Sequence, residues 1–126
     1  MIGLALPKEH FEIASERFDW AERAYEEENY HTACHLYINA AIKFTDFLCQ
    51  KYLNRVTTRK SHADTTFLKD LSKFLKDNSP ELKEAYSFLM AQKSIADYGV
   101  ELSENTCKQI QRKASKIKEI AEQHYG

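Results

Sequence analysis

Four groups of residues in this 126-residue chain combine types and spacings that chemistry can use. Arg55, Arg59 and Lys60, with His62 close behind, put three cations and an imidazole into one short stretch. Cations in one loop sum their fields and contact phosphates, and a histidine titrates near neutral pH. His31 and His35 are four apart and share one helical face, a spacing that chelates zinc. Lys93, Asp97 and Tyr98 bring a cation, a carboxylate and a phenol within six residues of one another. Lys108, Arg112 and Lys116 stand at i, i+4 and i+8, a row able to track a nucleic-acid backbone.

Each group also has a plainer reading. His62 follows Ser61 and suits the start of a helix. The histidine pair needs a third ligand; Cys34 points elsewhere on the helical wheel, which leaves Glu27 or Glu28 as the one candidate. Exposed or hydrogen-bonded histidines are therefore expected, with no metal and no cofactor. The Lys108 row matches the solvated face of an amphipathic helix. Tyr98 suits an inward ring that donates its hydroxyl to a buried partner. No Gly-rich phosphate loop, carboxylate pair of definable geometry or nucleophile elbow accompanies these residues. Catalysis is not the expected role.

The elements that must position these side chains are helices. A chain of this length fits one domain, and one domain over residues 1–126 is expected. Three Gly and two Pro leave little material for the turns of a sandwich or barrel. From Lys8 to about Glu28, Phe11, Ala14, Phe18, Ala21 and Tyr25 alternate at spacings of three and four, with acids on the other side. A second helix runs from Tyr30 to about Leu53 and carries two adjacent apolar stripes, one from Tyr30 through Tyr37 and Phe44 to Phe47, the other from Cys34 through Ile38, Ala41 and Leu48 to Tyr52, which predicts a central position. Asn54 to Lys60 is polar and reads as a loop, and Ser61 with Asp64 as the cap of a third helix that turns Phe67, Leu68, Leu71, Phe74 and Leu75 inward. Ser79 as N-cap and Pro80 open a fourth helix, which buries Leu82, Ala85, Tyr86, Leu89 and Ala96 and ends at Gly99. Ser103 caps a fifth, with Cys107, Ile110, Ala114, Ile117, Ala121 and His124 on one stripe. The expected fold class is all-α, an up-and-down antiparallel bundle of about five helices.

Charge and cysteines bound the setting. The net charge of −1 gives no global attraction to nucleic acid or anionic lipid. Residues 1–30 nevertheless hold three basic and eight acidic side chains, a local −5, whereas residues 51–60 hold Lys51, Arg55, Arg59 and Lys60 without an acid, a local +4. One end of the bundle should be the more basic. Cys34, Cys49 and Cys107 are odd in number and widely spaced, which predicts reduced, buried thiols in a cytoplasmic protein. No apolar run reaches the ~18 residues that span a bilayer, so no membrane association is expected.

Specific residues carry a family resemblance. The second helix reads Tyr30-His-Thr-Ala33-Cys-His-Leu-Tyr37-Ile-Asn-Ala40; Ser61-His62 opens the next helix; Lys93-Ser-Ile-Ala96-Asp97-Tyr98-Gly99 is followed by Ser103-Glu104. In order and spacing, over residues 10–124, these segments resemble the HEPN family of small helical proteins, with Ile38 where a second tyrosine is common. The resemblance implies a homodimer that binds a partner protein of the nucleotidyltransferase type, as in toxin–antitoxin modules, or a nucleotide or RNA. It also implies, for some members, a metal-independent ribonuclease built on an Arg followed after four to six residues by His. Here Gln92 and Lys93 stand where that Arg is expected, and Ala96 and Asp97 where the His falls. Lysine lacks the bidentate guanidinium fork, and no histidine is left as acid or base. Arg55 and His62 match the spacing literally, but in another loop, and roughly 0.6 such matches arise by chance in a chain of this make-up. The expected role is a non-catalytic interaction module, the alternative a ribonuclease using Arg55, His62 or Lys93.

Overall fold

The computed structural model describes residues 6–55, 66–97 and 102–125. Among them there is no strand, and the fold is all-α. The helices are α1 (Pro7–Glu26), α2 (Tyr30–Leu53), α3 (Thr66–Leu75), α4 (Ser79–Asp97) and α5 (Glu104–Gln123). The expected count of about five is met only by including the ten-residue α3, which continues through a 3-10 turn at Lys76–Asn78 directly into α4. Four helices of 19 to 24 residues form the frame.

Local chemistry explains most boundaries. Pro7 opens α1, where its missing N–H costs nothing. Asn54 ends α2 in the left-handed conformation, at φ 55° and ψ 37°, a geometry asparagine tolerates better than most residues. Ser103 caps α5 as expected, its Oγ accepting the Thr106 N–H at 3.2 Å. Ser79 does not act as an N-cap. Its backbone is already helical, at φ −61° and ψ −47°, and its N–H donates to the Lys76 carbonyl. The reversal between α3 and α4 is made one turn earlier, by Lys76 at φ 51°. The Ser61–Asp64 cap and the Gly99 stop lie outside the described residues.

α2 is central, as its double stripe predicts: 14 residues of it are buried. Phe11 packs edge-on against Phe44 and Phe47 at 5.4 and 5.2 Å, Phe18 against Tyr37 at 5.3 Å, and Tyr25 against Tyr30 at 5.4 Å. Each such pair adds about 0.5–1.5 kcal/mol beyond its buried area. Numbers rise along α1 as they fall along α2, so the two are antiparallel. Between α2 and α5 the contacts are Tyr30–Cys107, Tyr37–Gln111 and Tyr52–His124, rising together; this pair is parallel. α4 and α5 are antiparallel, joined by Glu84–Lys113 at 2.6 Å, with Asn78–Gln123 at 2.8 Å beside the start of α4. The long helices do alternate in direction along the chain. The second and fourth touch because α2 occupies the middle of the bundle.

Tyr86, Leu71, Leu82, Leu89, Ile110, Ile117 and Ile120 complete a single core. Phe74 departs from its expected inward place and is 44% exposed. The three cysteines are free and buried, and burial, with the Asp46 carboxylate nearby, pushes the Cys49 thiol up to about 12. No described helix is long and apolar enough to cross a membrane.

Candidate functional site

The side chains with most chemical potential meet where α2 and α5 end and α1 begins. Lys51 and Tyr52 occupy the last turn of α2. The Tyr52 hydroxyl and His124 Nδ1 share a 2.7 Å hydrogen bond, and the Lys51 ammonium donates to the His124 carbonyl. A cation at the C-terminus of α5 complements the partial negative charge of the unpaired carbonyls there. Tyr52 also stacks on Phe74 of α3, with centroids 5.0 Å apart and planes 12° off parallel. Tyr125 stacks on Phe11 at 4.1 Å and leans on Phe47 at 6.0 Å. Lys51 lies 5.5 Å from the Tyr52 ring centre and 6.0 Å from that of Phe47. Together with Pro7, Lys8 and Tyr125, Phe47 and Lys51 line a surface groove of about 450 Å³.

Arg55 closes this end on the α3 side, its Nη2 donating to Asp70 Oδ2 at 2.5 Å. Both partners are about half exposed, 53% and 49%, so water screens the pair and it contributes little to stability. Burial, and secondarily the Lys51 charge, lowers the pKa of His124; burial raises that of Tyr52. A histidine held neutral brings no charge to a phosphate, and a phenol pushed up is a poor proton donor at neutral pH. The pair ties α2 to α5; it does not form an activated nucleophile.

The other residues singled out in the sequence do not join this cluster. Arg59, Lys60, His62 and Tyr98 lie outside the described residues. Lys93 is half-buried on α4 and already engaged with neighbours, and Asp97 is the last residue of that helix. Because the start of α4 lies at the Tyr52 end, Lys93 is roughly 15 helical residues away along the bundle axis, on the order of 20 Å. Arg55 and Lys93 cannot act on one bond.

Lys108, Arg112 and Lys116 are exposed, as a solvated row should be. Arg112 and Lys116 line a 540 Å³ groove between α4 and α5 whose other wall carries Glu81 and Glu84, and Lys116 pairs with Glu119 at 3.4 Å. Acids thus interrupt the row. His31 and His35 do converge, Nε2 to Nε2 at 3.3 Å. No group of three or more His, Cys, Asp or Glu able to hold a metal occurs among the described residues.

Sequence reasoning placed Tyr52 and His124 in packing stripes and gave Tyr125 no role. The interruption that marks them is chemical: each stripe ends on a side chain with a polar atom, just where its helix stops.

Comparison of the chain with protein-family models, with curated proteins and with solved structures gives no match.

Proposed function

We propose that this chain is a non-catalytic, HEPN-like interaction module that takes a nucleotide or single-stranded RNA at the Tyr52–His124 end. The observation that carries the reading is the pairing of exposed rings with cations. Phe74 and Tyr125 are each 44% exposed at the end of the bundle that carries Lys51 and Arg55: Tyr125 lines the groove with Lys51, and Phe74 stacks on Tyr52, the residue after Lys51. Ligands of this class are held by a positive groove along the backbone and aromatic faces under the bases, each stacked base contributing about 1–3 kcal/mol. Arg55 needs only to exchange one weak, exposed carboxylate for a phosphate. The sequence places further cations, Arg59 and Lys60, a few residues beyond it.

In the HEPN-like reading the module also works as a homodimer beside a small nucleotidyltransferase. The apolar excess of α2 is absorbed by α1, α3, α4 and α5 of the same chain. A dimer would therefore use a different face. Light scattering during size exclusion tests it, and a monomer mass at tens of micromolar protein counts against it.

Binding is tested by fluorescence anisotropy with a labelled single-stranded oligoribonucleotide in low salt. The expected result is saturable binding that weakens as salt rises and weakens about tenfold in Phe74→Ala and in Arg55→Gln. No binding at tens of micromolar protein overturns the reading. Shortening of the RNA, lost in Arg55→Gln and His62→Ala, replaces it with the ribonuclease.

A further inference from the structure

We propose that His31 and His35 form a two-histidine binding site for a divalent transition-metal ion of the zinc class. Both lie in the first two turns of α2, one helical turn apart, with ring centroids 4.7 Å apart and planes 75° to each other. Nδ1 of His31 is buried without a hydrogen-bond partner, so Nε2 is the atom that ring offers to a ligand. It is this atom that converges on its neighbour, at 3.3 Å.

The separation, at the long end of a ring-to-ring hydrogen bond, also suits a shared ligand. An N–H donated from one ring to the other prefers heavy-atom distances of about 2.7–3.2 Å. Two nitrogens each ~2.0–2.1 Å from one tetrahedral zinc ion stand ~3.3–3.4 Å apart. The observed 3.3 Å matches such a chelate bite, held by the rotamers the two rings adopt on neighbouring turns. The helical backbone fixes both β-carbons, which leaves only side-chain torsions to order on binding.

With no third protein ligand among the described residues, water fills the remaining positions. The site is thus an open one. The His31 Nδ1–H that must accompany metal at Nε2 has no acceptor behind it, and the loss of such a support typically weakens a metal site by about 10–100-fold. Reversible binding at micromolar or weaker affinity is expected, with imidazole selecting zinc, nickel or copper over magnesium. This site is independent of the Tyr52–His124 end: some 20 residues of α2, ~30 Å, separate them.

The test uses the intact chain, stripped with EDTA and titrated with zinc chloride, with magnesium chloride as control. Zinc is expected to raise the melting temperature progressively, by about 3 °C or more at a hundredfold excess over the dissociation constant, and magnesium to leave it unchanged. His31→Gln and His35→Gln should each abolish the rise. An undiminished rise in both variants, or none in the intact chain, overturns the proposal. A wild-type measurement guards against a variant that does not fold. In the histidine ring NMR spectrum, zinc should move the signals of His31 and His35 ahead of the chain's other three histidines. Uniform shifts across all of them also overturn it.

Discussion

The Tyr52 hydroxyl sits 2.7 Å from His124 Nδ1 and ties the last turn of α2 to the C-cap of α5, 72 residues later in the chain. The two helices run parallel, so this bond closes one end of their seam as Tyr30 and Cys107 close the other. Tyr52→Phe keeps the stack on Phe74 and removes only the hydroxyl. A loss of about 1 kcal/mol in urea unfolding is expected, the usual net value of one hydrogen bond. An unchanged midpoint would show that water replaces the bond at no cost.

Acid should weaken the fold through two histidines. His10 is 7% exposed, and neither ring nitrogen has a hydrogen-bond partner. Burial lowers its pKa and Lys43 adds to the shift, while Asp46 and Glu9 oppose it. His124 is lowered by burial and by Lys51. Below about pH 6.5 the unfolded chain therefore binds more protons than the folded one. Stability should be full above that value and decline as pH falls through the lowered folded-state pKa values. Urea midpoints at about pH 7.5 and 5.5 measure the slope, and His10→Leu should flatten it. Equal slopes in variant and wild type would remove His10 from the account.

A polar knot between α1, α2 and α5 should cost more to cut than any surface pair. Gln111 Nε2 donates to the Tyr37 hydroxyl at 3.0 Å and to Glu22 Oε2 at 3.1 Å. Tyr37 is fully buried, and burial beside Glu22 raises its pKa. Gln111→Leu leaves the phenol and the carboxylate without their shared donor, for an expected loss of about 1–3 kcal/mol. A double-mutant cycle with Tyr37→Phe should recover part of it; additive losses would mean the two side chains are not coupled.

Leu71 and Arg55 separate stability from binding. Leu71 is completely buried, and Leu71→Ala should cost about 2–5 kcal/mol through lost contacts and the cavity it leaves. Asp70→Asn, one residue earlier and exposed, should change stability by less than about 0.5 kcal/mol. It releases Arg55, so it should tighten oligoribonucleotide binding severalfold in the anisotropy titration. Weaker binding in Asp70→Asn would mean that the ion pair positions Arg55 for its ligand.

The helical frame was written in local pattern. The spacing of Phe11, Ala14, Phe18 and Ala21 gives α1 its buried face, the double stripe of α2 its central place, and Ser103 the start of α5, because each depends on residues within a turn or two of one another. Lys76 and Ser79 show the limit. Ser-Pro is a good helix start in isolation, yet α3 and α4, which both pack on α2, are joined through a 3-10 turn in which Lys76 takes a φ of 51°.

Long-range placement belonged to the tertiary structure alone. No periodicity tells that Tyr52 will meet His124, or that Phe74 will lie open to solvent while it stacks on Tyr52. Nor does spacing tell that Arg55 and Lys93 end up near opposite ends of the bundle. His31 and His35 fall between the two cases. Their shared helical face follows from four-residue spacing, whereas the 3.3 Å between their nitrogens is a matter of rotamers. Helix periodicity assigns a side chain to a face; only the packing of all faces together decides what that side chain meets.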